Sequence, residues 1–328
     1  MTGAGGYLGA NLVQALTDVD CTIVRLGRNV EGSVQSEGAA RIVDLAGDVR
    51  RPDIWEDATA NVDVVYHLAA QTSVYVADQD PAADLDSNVR SMLYLLEACR
   101  TKGARPVVLF SGTTTQLGIP THLPVDETQP DNPITIYDLH KLIAEQYLKY
   151  YTSQGVVRGV SLRLANVYGP GLAARSSDRG VLNMMVRKAL EGEALTVYGD
   201  GNYLRDYVYV DDVVAAFLVA AVKIDSVNGR HFVIGSGQGH TVAQAFEMVA
   251  ERVALNTARR VPVVHVESPA GQSAIEERNF VANSSGFAEA TGWTPGCSLS
   301  EGIDATIRAF SSGEPRRGAV ETHRSGPR

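Results

Sequence analysis

The 328-residue chain lacks any run of 18 apolar residues, so nothing in it reads as a membrane-spanning helix. Its first residues, Met1-Thr2-Gly3-Ala4-Gly5-Gly6, carry neither a charged n-region nor an apolar h-region, and no signal peptide is expected. Cysteine is scarce: Cys21, Cys99 and Cys297 lie far apart without a CxxC pair, which argues against a disulfide framework or a zinc knot. Basic residues are outnumbered, 29 Lys+Arg against 38 Asp+Glu for a net charge of −9, so the concentrated basic stripe that nucleic acid needs is missing. No internal repeat is visible, and no metal site is expected. The composition fits a cytoplasmic globular protein of one large or two ordinary domains.

Residues 6–165 read as alternating helices and strands. Leu8, Leu12, Val13 and Leu16 recur at helical spacing after Gly6, and the apolar run from Cys21 to Leu26 suits a buried strand. Val62–Leu68, Pro106–Phe110 and Val157–Leu164 are further strands. Between them, Ala83–Arg100 and Tyr137–Tyr151 are predicted helices, the first with Leu85, Val89, Met92, Leu93 and Leu96 on one face. This alternation predicts an α/β fold with a Rossmann-type doubly wound parallel sheet over residues 1–165. From 166 to 310 short strands (195–198, 205–210, 230–234) mix with helices near 180–191, 211–223 and 241–253. A smaller mixed α/β substrate domain, partly interleaved with the first, is predicted there. The polar tail from Ser311 to Arg328 is expected to be disordered.

Three local patterns carry chemistry. Gly3, Gly6 and Gly9 form G-x-x-G-x-x-G at the start of a helix, where a tight turn lets backbone approach a pyrophosphate. Taken alone, the same pattern also serves ordinary glycine-rich turns. Tyr137 and Lys141 form Y-x-x-x-K inside a predicted helix, so both side chains share one face. A phenol acting as a base near pH 7 needs its pKa lowered by about three units, roughly 4 kcal/mol, and a neighbouring ammonium favours that change. Ser111-Gly112-Thr113-Thr114-Thr115 follows a predicted strand at the carboxyl edge of the sheet, where ligands bind. His67, at a strand end, is expected to be structural, His140 has no metal partner at ligand spacing, and Tyr147, Tyr150 and Tyr151 are expected to pack on the neighbouring helix.

In this order and at these separations, the patterns resemble the extended short-chain dehydrogenase/reductase family, of the nucleotide-sugar epimerase type, over residues 2 to 310. Asp48-Val49, the segment Leu68-Ala69-Ala70-Gln71 after His67, Asn88 within NVRSMLYLLEA, Arg163–Pro170 (RLANVYGP), Tyr198–Gly201 (YGDG) and Arg205–Asp212 (RDYVYVDD) extend the likeness. The resemblance implies a catalytic set of Thr113, Tyr137 and Lys141. It implies a bound NAD held by Gly3, Gly6, Tyr7, Leu8, Gly9, Asp48, Val49, Leu68, Ala69, Ala70, Gln71, Tyr137 and Lys141. Thr113, Asn166, Arg205 and Arg278 would hold a nucleotide-diphosphate sugar, arginine suiting phosphate by its planar fork. A homodimer through a four-helix bundle, built from the helices at 83–100 and 137–151, is implied as well.

Departures narrow the expectation. Thr114 and Thr115 stand where family dehydratases carry an Asp-Glu pair, so 4,6-dehydration is disfavoured, and the glutamate typical of sugar-acid decarboxylases is also missing. Gln116-Leu117-Gly118 replaces the usual Val-Tyr-Gly. The second strand ends Arg25-Leu26-Gly27-Arg28-Asn29 without the acid that pairs with an NAD ribose, and Arg28 is either a partner for the 2′-phosphate of NADP or a solvated arginine. The expected activity is 4-epimerisation by transient C4 oxidation; an NADPH-dependent 4-ketoreductase of deoxysugars and a non-catalytic dinucleotide sensor are the alternatives. The buried first strand that normally precedes the glycine turn is largely missing, which suggests a native chain that starts slightly upstream.

Overall fold

The structure, a computed structural model, describes residues 1–28, 30, 38–171, 180–269, 271 and 273–312. The first half alternates strand and helix: α1 (Tyr7–Leu16), β1 (Thr22–Gly27), β2 (Arg41–Ala46), α2 (Ile54–Ala58) and β3 (Val64–His67). Next come α3 (Val74–Gln79) and α4 (Pro81–Leu85), a π-helical turn at Asp86–Arg90, and α5 (Ser91–Lys102). Then follow β4 (Val107–Thr113), a 3₁₀ turn at Thr114–Leu117, α6 (Ile136–Ser153) and β5 (Arg158–Leu164). The segment predicted as one helix over 83–100 is thus three pieces, because the π turn widens the helix around Asn88.

Strands β3, β4, β5 and β9 (His231–Ile234) form a parallel sheet in the order β3-β4-β5-β9. β1 and β2 form a second parallel pair. Residues 1 and 2 lie in the lane between the two: Thr2 bridges in parallel to Leu26 of β1 and to His67 of β3. The Met1 ammonium donates to the Val24 carbonyl at 2.7 Å, the Leu26 N–H to Met1, and the Thr2 N–H to Tyr66.

Alternation along β4 explains the layering. Val107 and Leu109 face one side, with Leu12 of α1 and with Val213 and Phe217 of α8 (Val210–Val222). Val108 and Phe110 face the other, against Met92 and Leu95 of α5 and Ala144 and Leu148 of α6. Both faces are buried, as a parallel sheet with crossover helices requires. The family-type doubly wound arrangement therefore stands.

The remaining elements are β6 (Asn166–Tyr168), α7 (Val181–Glu191), β7 (Leu195–Tyr198), β8 (Leu204–Tyr209), α9 (Ile224–Val227), β10 (Gly239–Thr241), α10 (Val242–Thr257), β11 (Val263–Val266), α11 (Ser285–Thr291) and α12 (Leu299–Ser312). β8 lies between β6, parallel to it, and β10, antiparallel. β7 pairs with β11. Helices α7, α10 and α12 share a separate apolar cluster that includes Met185, Val186, Phe246, Val249, Ile303 and Ile307.

Two sequence expectations need correction. Ser311 and Ser312, expected in the tail, belong to α12, which carries Ile303 and Ile307 into that cluster; the rest of the predicted tail, 313–328, lies outside the described residues. Tyr147 and Tyr151 pack beside the α5–α6 core, but Tyr150 points outward and is 60 % exposed. Among the described residues, no helix is long and apolar enough to cross a membrane.

Candidate active site

Gly3 has φ +66°, a conformation that glycine adopts without strain, and a Cβ there would lie 2.7 Å from the Ala69 amide nitrogen. A Cβ on Gly9 would lie 2.2 Å from the Gly3 carbonyl oxygen. The glycine turn is therefore pressed between the start of α1 and the segment after β3. Thr2 fixes that segment from below: its hydroxyl accepts from the Leu68 and Ala69 N–H groups, each at 3.1 Å, and bonds to His67 Nδ1 at 3.1 Å. His67 is buried against Trp55 and Phe110, and burial, with Lys141 nearby, pushes its pKa down to about 3. It is a neutral structural group.

Above the turn opens a cleft of about 1110 Å³. Gly3, Gly6 and Tyr7 form its floor, Arg28, Asp48 and Val49 one wall, and Leu68, Ala69, Ala70 and Gln71 the other. Helix α1 starts at Tyr7 with no side-chain cap, and the positive end of a helix suits an anion. Leu8 and Gly9, expected at the cofactor, are not lining residues: the helix turns Leu8 into the core, and Gly9 only permits the close approach of Gly3. The volume, the helix terminus without a side-chain cap and the glycines that leave no room for a side chain all suit a dinucleotide.

On that first wall Asp48 pairs with Arg50 at 2.6 Å, and this pairing holds the carboxyl down at about 2. Arg28 is exposed on the same wall. Arg50 was not foreseen as a lining residue; its position two residues beyond Asp48 was the only signal.

Tyr137 sits on the first turn of α6, where Thr135 caps the helix by accepting from the Asp138 N–H at 3.2 Å. The Thr113 side chain at the end of β4 lies close enough to the Tyr137 phenol to influence it, while the Thr113 hydroxyl accepts from the Thr115 N–H at 3.3 Å and shares a hydrogen bond with the Thr115 hydroxyl at 2.9 Å. Lys141, one turn further on, is 3 % exposed with its ammonium 4.1 Å from the centre of the Phe110 ring. Burial pushes the Tyr137 phenol well above its usual value, helped by Asp138 and Asp84, whereas the nearby Thr113 hydroxyl acts the other way. Burial also lowers Lys141 to about 7, against the pull of Asp84 and Glu145.

Asp84, which lines the cleft, joins these pieces. It accepts from Gln71 Nε2 at 2.8 Å and Asn88 Nδ2 at 3.0 Å, and pairs with His140 Nδ1 at 2.6 Å. No spacing in the sequence marks it, since its partner His140 lies 56 residues away.

The expected substrate residues come from three segments. Asn166 opens β6, opposite Tyr207 of β8, and Arg205 lies two residues before Tyr207 on the same strand. The Arg205 guanidinium is 6 % exposed and donates to the carbonyls of Leu204, Glu276 and Arg278, which ties it to the turn that carries Arg278. Arg278 is equally buried; one Nη donates to the Ile275 carbonyl at 3.2 Å, while Nε has no protein partner. Burial, with the Arg205 charge beside it, lowers Arg278 to about 10, and Asp138 of α6 faces it. Two buried guanidiniums thus lie side by side, Arg278 the one that faces the helix bearing Tyr137.

A parallel sheet, a glycine turn beneath an elongated cleft and a Tyr-Lys pair at the strand ends define a Rossmann-type dinucleotide-binding protein. The chain belongs to the NAD dependent epimerase/dehydratase family, whose sequence profile matches residues 1–235. It is 30 % identical over 310 residues to a putative UDP-glucose 4-epimerase of Methanocaldococcus jannaschii, covering 94 % of this chain and 96 % of that protein. The crystal structure of the Thermotoga maritima UDP-glucose 4-epimerase with UDP-glucose matches with a TM-score of 0.84 and 29 % identity, over 95 % of this chain and 98 % of the other. That of the Thermus thermophilus UDP-glucose 4-epimerase complex with NAD matches with a TM-score of 0.81 and 29 % identity, over the same shares.

Proposed function

We propose that this protein is a nucleotide-sugar 4-epimerase that works with bound NAD. The observation that carries the reading is the proximity of Thr113 to the Tyr137 phenol, with Lys141 one turn away, set beside a cleft that fits a dinucleotide. When bound, NAD supplies the acceptor and then the donor of a hydride at the sugar's C4. Gly3, Gly6 and Tyr7 would hold its pyrophosphate, Asp48 and Val49 its adenine end, and the 68–71 segment its nicotinamide half. Tyr137 takes the proton of the C4 hydroxyl and later returns it. Lys141 favours the phenolate electrostatically. Thr113 hydrogen-bonds the same sugar oxygen and keeps it at the phenol. Arg205, Arg278 and Asn166 hold the nucleotide diphosphate, so the keto sugar stays bound while it turns over.

Incubation of the purified protein with UDP-glucose and other nucleotide sugars is expected to give the C4 epimer without net cofactor consumption. Absence of turnover with every nucleotide sugar would overturn the reading. A 4-ketoreductase is the second reading, favoured by Arg28 on the cleft wall as a partner for a 2′-phosphate. It would consume NADPH stoichiometrically on a 4-keto sugar, which absorbance at 340 nm follows.

The same reading includes a homodimer through α5 and α6, supported by Leu139 and Tyr150, two exposed apolar side chains eleven residues apart on one face of α6. It includes a cytoplasmic location, supported by three cysteines that form no disulfide.

A further inference from the structure

Gln116 departs from the family pattern within the turn that follows Thr113, and its surroundings show what the departure does. The side chain is completely buried. Its Oε1 accepts from the Thr113 N–H at 2.9 Å, and its Nε2 donates to Glu145 Oε2 at 3.2 Å. Its carbonyl accepts from the Asn132 N–H at 3.1 Å. Glu145, on α6 four residues after Lys141, is buried as well and is fixed from several sides. Arg163 donates to it through Nε at 3.0 Å and Nη2 at 2.7 Å, Ser161 through Oγ at 2.8 Å, and Lys149 through Nζ at 2.6 Å. The other end of Arg163 reaches Asp131 at 2.6 Å, and Lys149 contacts His231 Nδ1 at 2.7 Å. Two carboxylates thus face two cations. Gly112 completes the arrangement: a Cβ there would lie 2.8 Å from Ser161 Oγ and 3.1 Å from both Arg163 Cγ and Gln116 Oε1.

We propose that Gln116 is a positioning residue, which anchors the Thr113 backbone to the Glu145–Arg163 ion cluster and so holds the Thr113 hydroxyl against Tyr137. The inference rests on the reading above that Thr113 touches the sugar. The cluster is stiff because each charge is matched inside the protein, where leaving one unmatched is costly. Burial alone would raise the Glu145 pKa, but the hydrogen bonds and charge of Arg163 and the charge of Lys149 outweigh it and keep the carboxylate ionised. Burial and Arg163 hold His231 at about 4, so it stays neutral in the working range.

Two variants test the assignment. In Gln116→Val the Thr113 N–H loses its acceptor. Hydrogen–deuterium exchange over residues 111–118 is expected to accelerate about tenfold or more, with kcat on the nucleotide sugar falling on the order of ten- to a hundredfold while KM changes less than about twofold. Gln116→Glu puts a second carboxylate against Glu145. It is expected to be impaired at pH 8 and to recover toward wild type near pH 5.5, where a protonated carboxyl again donates to Glu145 and accepts from Thr113. The groups facing it are Glu145, Arg163, Lys149, Asp131 and His231, and circular dichroism at both pH values confirms that the variant is folded. Wild-type exchange and kcat in Gln116→Val, or a Gln116→Glu profile parallel to wild type, would overturn the proposal. If Gln116→Val does not fold, the pH profile of Gln116→Glu decides. If the wild-type protein turns over no nucleotide sugar, the proposed activity falls, while the exchange rates still decide whether Gln116 anchors Thr113.

Discussion

Lys141 illustrates the residue scale, because its burial has a consequence that does not depend on any ligand. In an unfolded chain its ammonium keeps its proton up to about pH 10.5. In the folded protein burial brings the pKa to about 7. Between these values the unfolded state binds more protons, so this group's contribution to stability rises with pH from about 7 to about 10.5; below pH 7 both states are protonated and the slope vanishes. Between pH 7 and 9 the ligand-free protein should gain about 1–3 kcal/mol relative to Lys141→Met in urea unfolding. Parallel pH profiles for the two proteins would show that the surroundings of Lys141 compensate its burial. The tyrosine and lysine were legible in the sequence because both partners lie within one helical turn. Asp84 and Gln116 were not, because each gains its meaning from a partner far along the chain, His140 at a separation of 56 residues and Glu145 at 29.

At the scale of elements, apolar spacing located β1, β3, β4, β5, α1 and α6 to within a few residues, since each buries a continuous face. It missed β2, an edge strand that alternates between half-buried and exposed positions and includes Arg41 and Asp44. It also smoothed over the π turn at Asp86–Arg90. Hydrophobic periodicity cannot reveal an extra residue in a helical turn. That turn carries Asn88, whose Nδ2 donates to the Gln71 carbonyl at 3.1 Å and to Asp84 at 3.0 Å. The widened turn thereby links the helix to the cleft wall. Replacing Asn88→Leu leaves the Gln71 carbonyl and one Asp84 interaction unmade, at a cost of about 1–3 kcal/mol. Chemical denaturation should show that loss, together with weaker NAD binding by calorimetry because Gln71 is no longer braced. Unchanged affinity in a destabilised variant would make the π turn a purely structural feature.

For the whole molecule, the decisive feature is that the cleft spans a seam. One wall belongs to the β1–β2 pair and the other follows β3, and the lane between them is held by residues 1 and 2. A dinucleotide lying across that seam contacts both parts, so its binding energy adds directly to the stability of the folded state. NAD at a hundredfold excess over its Kd should stabilise the protein by about 2.7 kcal/mol, seen as a rise in Tm. Thr2 sets how much of that effect is available, since one hydroxyl accepts from both the Leu68 and Ala69 N–H groups. Thr2→Val keeps the shape and removes the acceptor, leaving two half-buried N–H groups without their partner and the 68–71 segment free to shift. A tenfold loss of NAD affinity would follow from a penalty of about 1.4 kcal/mol, and the NAD-induced stabilisation at fixed concentration should shrink by nearly that amount. An equal NAD response in both proteins would mean that the cleft walls are held by the helices alone, and that the seam carries no part of the binding energy.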